Sequence, residues 1–370
     1  KIKMGPPLGE IVILAGNTHP YLADEICQRL DVRRMEVNLY HAGNRETMLQ
    51  ITSSVRFKDC YIIQTATDTN CNDAIMELLL MGYTCHTSAA KHLVGVIPYL
   101  PYGKQARQRK RGSIPARLLA KMICRAGFRH IITVDLQHKE IQGFFDIPVE
   151  NLRASPFLIQ HIRETLFQQQ INRSDVVIIA MHTSSVRKAT AYAERLKVDI
   201  AILHGQDDDK LADTVDEIDG RSSPPPPVRE IEIVPGGDIL PVLTTFSGSY
   251  RSPLKLVGDV RGKLAIMIEN ILDDVEQPIR AANFLKQDEG ARQVHLVGTH
   301  ALLTPEAAEK LNESVIDEIV VTNTIPHEIQ SMKCPKMKTI DISILLTEAI
   351  RRMHNNESLS YLFADVSHED

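Results

Sequence analysis

The feature that most constrains the fold is a buried-strand pattern followed at once by a turn and a helix pattern. Residues 264–268, Leu-Ala-Ile-Met-Ile, form an apolar run typical of a strand covered on both faces of a parallel sheet. An acidic turn follows, Pro278 suits a first helical position, and Ile279, Ala282 and Leu285 recur at helical spacing. The loop between such a strand and helix usually binds phosphate. The stretch therefore predicts a strand, a candidate anion loop and a helix.

Strand and helix patterns alternate along the rest of the chain, and the cycle restarts near Ser155. This order favours right-handed β-α-β units and parallel sheets. We predict an α/β fold with two similar domains, at residues 8–153 and 154–365. Strands are predicted at 11–15, 35–40, 59–65, 93–98, 130–136, 176–180, 199–203, 264–268, 294–298, 318–322 and 338–342.

An acidic and proline-rich stretch interrupts the second predicted domain at about residues 206–251. It contains three consecutive aspartates at 207–209 and four consecutive prolines at 224–227, with few apolar anchors. This composition is typical of a linker and predicts a flexible insert. A regulatory or partner-binding insert is the alternative.

The composition argues against several functional classes. The 370 residues are 43% apolar, no apolar run reaches membrane-spanning length, and nothing at the start of the chain resembles a signal peptide. The net charge of -5 gives no general case for nucleic-acid binding. The six cysteines are scattered without ligand spacing, which favours free thiols in a reducing compartment and no zinc. We expect a cytoplasmic protein with no membrane or nucleic-acid partner.

Several strings resemble the ribose-phosphate pyrophosphokinases, also called phosphoribosyl pyrophosphate synthetases. Residues 135–145 read Asp-Leu-Gln-His-Lys-Glu-Ile-Gln-Gly-Phe-Phe, where that family has Asp-Leu-His followed by Ile-Gln-Gly-Phe-Phe. Residues 320–326, 341–343 and 357–363 match further family strings. The resemblance spans nearly the whole chain outside the insert. It implies two type I phosphoribosyltransferase-like domains, each a mainly parallel sheet flanked by helices.

The family's ribose-phosphate loop is altered in this chain. The family has two acids, two apolar residues and Asp-Thr-x-Gly-Thr, in which acids hold the ribose hydroxyls and backbone N–H groups surround the 5-phosphate. The corresponding residues here are Glu269, Asn270, Asp273 and Asp274, followed by Val-Glu-Gln. Each added carboxylate near a phosphate costs about 4 kcal/mol at ~4 Å, and the glycine is missing. The resemblance implies a remnant loop that does not bind ribose phosphate, whose acids also complement a helix dipole.

The nucleotide side of the family site is partly kept. Asn44 and Glu46 match the family's Phe-x-Asn-x-Glu without its aromatic residue. Lys104, Gln105 and Arg107 correspond to the triphosphate-binding Arg-Gln-Asp-Lys, with the charge preserved but the bidentate geometry changed. The resemblance implies that these five residues are a remnant nucleotide site.

The metal and catalytic positions depart further from the family. Gln137 replaces the histidine that helps to hold magnesium–ATP, and the catalytic-loop acid and glycines are replaced by His182-Thr-Ser-Ser. Arg187 and Lys188 keep the basic pair and could either stabilise charge or be solvated at a helix start. The resemblance implies no catalytic residue, no metal ligand and no required cofactor, with residual magnesium or nucleotide binding left open.

A different family site is better preserved. The synthetases bind regulatory phosphate or ADP between subunits, at positions that correspond to Gln142, Asn151, Ser358 and Ser360. Lys139 replaces a serine and adds a cation that would favour an anion. These five residues are a candidate regulatory anion site. The alternative is that the serines and the asparagine only cap and turn the chain.

An altered ribose loop together with a long insert is similar to the synthetase-associated proteins, which are non-catalytic relatives of the synthetases. The resemblance implies an inactive, inhibitory subunit that associates with catalytic synthetase subunits and with itself as a dimer or hexamer. One alternative is a weak diphosphokinase that uses Asp273, Arg187 and Lys188. Another is a stand-alone nucleotide or phosphate sensor.

Overall fold

A computed structural model describes residues 10–107, 112–182, 185–205 and 254–363. The predicted insert lies outside the described residues. Fourteen strands and ten α-helices are found in the described ranges. The helices are α1 Pro20–Leu30, α2 Cys71–Thr87, α3 Pro115–Arg125, α4 Ser155–Gln168, α5 Val186–Leu196, α6 Glu276–Asn283, α7 Pro305–Glu313, α8 Glu328–Lys333, α9 Ser343–His354 and α10 Ser360–Phe363.

The first half of the chain forms a five-stranded parallel sheet and a separate hairpin. The sheet order is β1-β4-β5-β6-β7, and the antiparallel hairpin is β2-β3. The strands are β1 Ile11–Ala15, β2 Val37–His41, β3 Thr47–Ile51, β4 Asp59–Ile63, β5 His92–Ile97, β6 His130–Val134 and β7 Val149–Leu152.

The second half forms a seven-stranded sheet in the order β10-β9-β8-β11-β12-β13-β14. Its strands are parallel except for the antiparallel pair β9 and β10. The two sheets, flanked by helices, confirm the predicted α/β class. The strands are β8 Val176–Ala180, β9 Asp199–His204, β10 Lys255–Val257, β11 Leu264–Leu272, β12 Gln293–Ala301, β13 Glu318–Thr322 and β14 Met337–Ile340.

Three local predictions were wrong. The strand predicted at 35–40 belongs to the β2-β3 hairpin and not to the parallel sheet. Pro278 is the third residue of α6 because that helix begins at Glu276. Glu269 and Asn270 lie within β11 and not in a loop, since the parallel ladder with β12 continues past the apolar run to Leu272.

The two halves of the chain share one buried apolar cluster. It includes Ile13 and Val96 from the first half and Ile178, Ile266 and Leu346 from the second. This cluster lies between the sheets and buries helices from both halves, so each half covers apolar surface of the other. The predicted division between residues 153 and 154 falls between the two sheets and stays a prediction.

Polar contacts also join the two halves. The His19 ring bonds through Nε2 to the carbonyl oxygen of Asn323 at 2.9 Å. Arg29 Nη2 donates to an Asp341 carboxylate oxygen at 2.8 Å. Asn323 and Asp341 belong to two of the family strings, 320–326 and 341–343. These strings therefore contribute to the packing of the two halves, independently of any chemistry at the site.

Candidate functional site

The candidate site lies where the carboxyl end of β6 meets the carboxyl ends of β11 and β12. Such edges are the usual ligand sites of α/β sheets. Asp135 follows β6 with φ of 43°, in the left-handed region that is uncommon for residues other than glycine. Its carboxylate oxygen Oδ2 accepts a 2.8 Å hydrogen bond from Thr299 Oγ1 on β12. The first half of the chain is therefore bonded to the second at this edge.

Asn270 is the centre of the contacts across the site. Its Nδ2 donates to the Asp135 carbonyl oxygen at 3.0 Å and to Gln137 Oε1 at 2.9 Å. Its Oδ1 accepts from Lys188 Nζ at 3.0 Å. Gln137 and Asn270, which the resemblance aligns with the family's metal and ribose positions, are thus bonded to each other.

Lys188 points into the site. Besides Asn270, its Nζ lies 3.4 Å from the Glu269 carbonyl oxygen and 3.4 Å from Thr299 Oγ1. Arg187 is exposed. The solvated alternative is therefore wrong for Lys188 and fits Arg187. The Lys188 ammonium group is close to three acceptors of the chain itself, which leaves it less available to an external anion.

The loop predicted to be a remnant ribose-phosphate loop forms hydrogen bonds from its carboxylates to its own backbone N–H groups. Asp273 Oδ1 accepts a hydrogen bond from the Asp274 N–H at 2.8 Å, and Asp274 Oδ1 accepts one from the Glu276 N–H at 3.0 Å. Carboxylates at the start of α6 also complement the partial positive charge of that helix end. The side chains of the loop therefore occupy N–H donors that an anion would need, and they add negative charge.

Lys104 forms an ion pair with Asp273. Its Nζ lies 2.8 Å and 2.6 Å from the two carboxylate oxygens. Lys104 comes from the loop after β5 and Asp273 from the loop after β11, so the pair links the two halves. The predicted nucleotide site and the predicted ribose loop are thus brought together, and their opposite charges pair with each other.

His300, at the carboxyl end of β12, is buried beside the site, with only 1% of its surface exposed. Its Nε2 lies 3.1 Å from the Val134 carbonyl oxygen and its Nδ1 lies 2.9 Å from Thr324 Oγ1. Burial lowers the pKa of His300 to about 4. The ring is therefore neutral at pH 7, and its Nε2–H faces a backbone carbonyl. Sequence reasoning missed His300 and Thr299, although both directly follow a predicted strand.

The other predicted nucleotide residues lie apart from this network. Asn44 and Glu46 are exposed at the tip of the β2-β3 hairpin, where Asn44 Oδ1 accepts from the Glu46 N–H at 3.1 Å. Gln105 and Arg107 are exposed beside Lys104. Asn44 therefore has a turn-forming role here, and the assignment of all these residues to a nucleotide site stays a prediction.

The predicted regulatory residues show local contacts. Asn151 Oδ1 accepts from the Leu136 N–H at 3.0 Å, which supports the turn after β6. Ser358 Oγ bonds to Ser360 Oγ at 2.8 Å and accepts from the Ser360 N–H at 3.2 Å, so these serines shape the start of α10. Lys139 is exposed and Gln142 is partly buried in a short 3₁₀ turn. These contacts fit the capping alternative, and the anion site stays a prediction.

Two sequence families match the chain. Residues 172–364 match the phosphoribosyl synthetase-associated domain, and residues 11–127 match the N-terminal domain of ribose phosphate pyrophosphokinase. The chain is also 47% identical over 371 aligned residues to phosphoribosyl pyrophosphate synthase-associated protein 2 of Homo sapiens, covering 100% of this chain and 97% of that protein. The chain belongs to the family of phosphoribosyl pyrophosphate synthase-associated proteins.

Catalytic relatives are similar over the same length. Ribose-phosphate pyrophosphokinase 2 of Schizosaccharomyces pombe is 37% identical over 355 residues, covering 96% of this chain and 97% of that protein. The solved phosphoribosylpyrophosphate synthetase from Mycobacterium smegmatis superposes with a TM-score of 0.76 at 28% identity, covering 94% and 99% of the two chains. These matches confirm the predicted resemblance and the phosphoribosyltransferase-like fold class.

Two features are absent from the described ranges, residues 10–107, 112–182, 185–205 and 254–363. No group of three or more histidine, cysteine, aspartate or glutamate side chains in these ranges is arranged to hold a metal ion. No helix in the same ranges is long and apolar enough to span a bilayer.

Replacing Asp273 with asparagine is expected to increase the affinity of the chain for inorganic pyrophosphate by about tenfold, or about 1.4 kcal/mol. The substitution releases Lys104 and removes one like charge from the anion's surroundings. Titration calorimetry of both chains with pyrophosphate measures the change. Glu313→Gln removes one exposed acid from the end of α7 and is the charge-matched control. Equal affinity in all three chains would show that the ion pair does not limit anion binding.

Proposed function

We propose that the chain is a catalytically inactive regulatory subunit that associates with catalytic phosphoribosyl pyrophosphate synthetase and lowers its output. The observation that carries the proposal is the direct bonding of Asn270 to Gln137 and Lys188, because the resemblance aligns Gln137 and Asn270 with positions that bind metal and ribose in the family. The names of the relatives, which are synthase-associated proteins, support the association.

The internal contacts also explain how a synthetase fold can be retained without ligands. In an enzyme, bound substrate and metal contribute to the stability of the site by mass action. Here the Lys104–Asp273 pair and the Asn270 contacts join the two halves without either. Such a chain keeps the fold of a synthetase subunit, and the surfaces that contact neighbouring subunits, whether or not a ligand is bound. Its effect on them is then a coupling between sites through shared interfaces.

The proposal includes expectations about ligands and about cellular location. We expect no required cofactor, because the site acceptors and donors are largely paired within the chain. Weak nucleotide binding at Lys104 would have to compete with Asp273, and weak magnesium binding at Asp273 would have to compete with Lys104. We expect the chain to act in the cytoplasm, where its catalytic partners would make phosphoribosyl pyrophosphate for nucleotide synthesis.

Mixing the purified chain with a catalytic synthetase tests the proposal. We expect both to elute together from a sizing column, and the activity per catalytic subunit to fall as the ratio rises until it levels off. An unrelated α/β protein at equal concentration is the control for crowding. Separate elution with unchanged activity would contradict the regulatory role. Stabilisation of the isolated chain by ADP without co-elution would favour the sensor instead.

A further inference from the structure

A basic run of the sequence leads to Ser113, just before helix α3. Five of the eight residues at 104–111 are lysine or arginine and none is acidic. Lys110 and Arg111 stand three and two residues before Ser113, and the residue that follows it is apolar. No other serine in the sequence has lysine or arginine at both of these preceding positions. The charge pattern therefore distinguishes Ser113 from every other serine of the chain.

This pattern is the one that basic-directed serine/threonine protein kinases select. Their substrate grooves place carboxylates against the basic residues that precede the hydroxyl, and such charge patterns give these kinases their specificity. The hydroxyl must also be accessible to the active site of another protein. Ser113 is exposed and lies in irregular chain, because α3 begins only at Pro115. Both requirements, charge and access, are therefore met at this serine.

Thr190 has a similar charge pattern but a different environment. Arg187 and Lys188 stand three and two residues before it. Thr190 lies within α5, is partly buried, and donates from Oγ1 to the Val186 carbonyl oxygen at 2.9 Å. A kinase would have to unwind the helix to reach this hydroxyl. Of the two residues, only Ser113 is therefore accessible in the folded chain.

The folded chain holds cations where a phosphate on Ser113 would lie. Ser113 lines a groove at the start of α3 together with Arg117 and Lys121. Both cations are exposed, and neither forms an ion pair with another described residue. The first turn of α3 has no acidic residue and no side-chain cap from the described residues, so its partial positive charge is also uncompensated. The groove therefore has unpaired positive charge beside this hydroxyl.

We propose that Ser113 is the phosphorylation site of a basic-directed serine/threonine protein kinase, and that the phosphate pairs with Arg117 and Lys121. In the reaction, Ser113 Oγ forms a bond to the γ-phosphorus of ATP while the bond from that phosphorus to the β–γ bridging oxygen breaks. ADP leaves with the bridging oxygen, and the hydroxyl proton passes to the catalytic base of the kinase. The product carries about −1.5 to −2 charges at pH 7. Phosphorylation thus neutralises the basic groove.

Nucleic acid fits the same basic run less well. Residues 103–127 contain no aromatic side chain, whereas proteins that bind single strands usually stack the bases on aromatic residues. The net charge of -5 also opposes the approach of a polyanion. A kinase reads only a few residues on either side of one hydroxyl, so it needs neither feature.

Incubation of the full chain with the catalytic subunit of cAMP-dependent protein kinase, ATP and magnesium tests the site. We expect phosphate on Ser113, as located by mass spectrometry, and an initial rate at least about tenfold lower in Ser113→Ala. The double variant Lys110→Gln, Arg111→Gln keeps the hydroxyl and should also lose about tenfold, because one charge-assisted hydrogen bond to the kinase is already worth that factor. Ser174→Ala removes an exposed serine without this pattern and should match the parent. An unmodified parent, or equal rates in parent and Ser113→Ala, would overturn the proposal.

Phosphorus NMR of the phosphorylated chain tests the pairing with α3. Cations beside the phosphate favour its dianion, so the pKa of its second ionisation should lie below the ordinary value of about 6. The double variant Arg117→Gln, Lys121→Gln should return that pKa to about 6. Lys91→Gln with Arg173→Gln removes two cations from other exposed sites and should leave the pKa lowered. Equal values in the parent and the α3 variant would overturn the pairing.

Discussion

The isolated chain is expected to form at least about a thousandfold less phosphoribosyl pyrophosphate than an equal concentration of a catalytic relative. Loss of a single group that stabilises transition-state charge already costs about 10²–10³ in rate. Here Gln137 and Asn270 are bonded to each other, and Lys104 is paired with Asp273. Formation of product from ATP and ribose 5-phosphate with magnesium present measures the difference. The pyrophosphokinase of Schizosaccharomyces pombe is a suitable reference.

Restoring one family residue is expected to leave the chain inactive. Asn270→Asp recovers the acid but loses the Nδ2 donor to Gln137 and to the Asp135 carbonyl oxygen, so it places a carboxylate against oxygen acceptors. Glu276→Gly recovers the glycine of the phosphate loop but leaves the pair of Lys104 and Asp273. Activity in the parent chain that disappears on Asp273→Ala would contradict the inactive assignment and support the weak diphosphokinase.

Gln137 and Asn270 illustrate what one sequence can and cannot show. At each of the two positions the residue type differs from that of the catalytic family, and the sequence alone shows both differences. The hydrogen bond between their side chains joins residues 133 positions apart, and no local spacing predicts it. It depends on how the two halves pack, which was set by buried apolar residues and not by the site. In the folded chain the two altered residues therefore form one hydrogen bond with each other.

The fold was more predictable than the site for a physical reason. Parallel strands covered on both faces leave continuous apolar runs, so β1, β8 and β13 were predicted at their observed bounds. The hairpin β2-β3 was missed as a pair because its strands are half exposed and its turn, Ala-Gly-Asn-Arg-Glu, has no two-residue hairpin signature. Lys188 shows the same limit at the site, since the direction of its side chain on α5 depends on Asn270 of β11 and Thr299 of β12.

Lowering the pH from 7 to 5 is expected to reduce the free energy of unfolding by about 2 kcal/mol through His300 alone. The pKa of His300 is about 4 in the folded chain because burial disfavours its charged form, against 6.5 for an exposed histidine. Between these values the unfolded chain binds a proton that the folded chain does not, so acid stabilises the unfolded state. Urea unfolding at pH 7, 6 and 5 measures the loss.

His300→Gln isolates the contribution of this residue. The glutamine amide can still donate to the Val134 carbonyl oxygen and bond to Thr324 Oγ1, but it does not titrate. Burial also lowers the pKa values of His19, His295 and His327, so the variant should keep part of the pH dependence and lose about 2 kcal/mol of it between pH 7 and 5. The Glu318 carboxyl, with a pKa of about 2, loses its contribution only below about pH 4.5, outside this window. An unchanged pH dependence in the variant would show that the pKa of His300 is not lowered in the folded chain and would contradict the neutral assignment at pH 5.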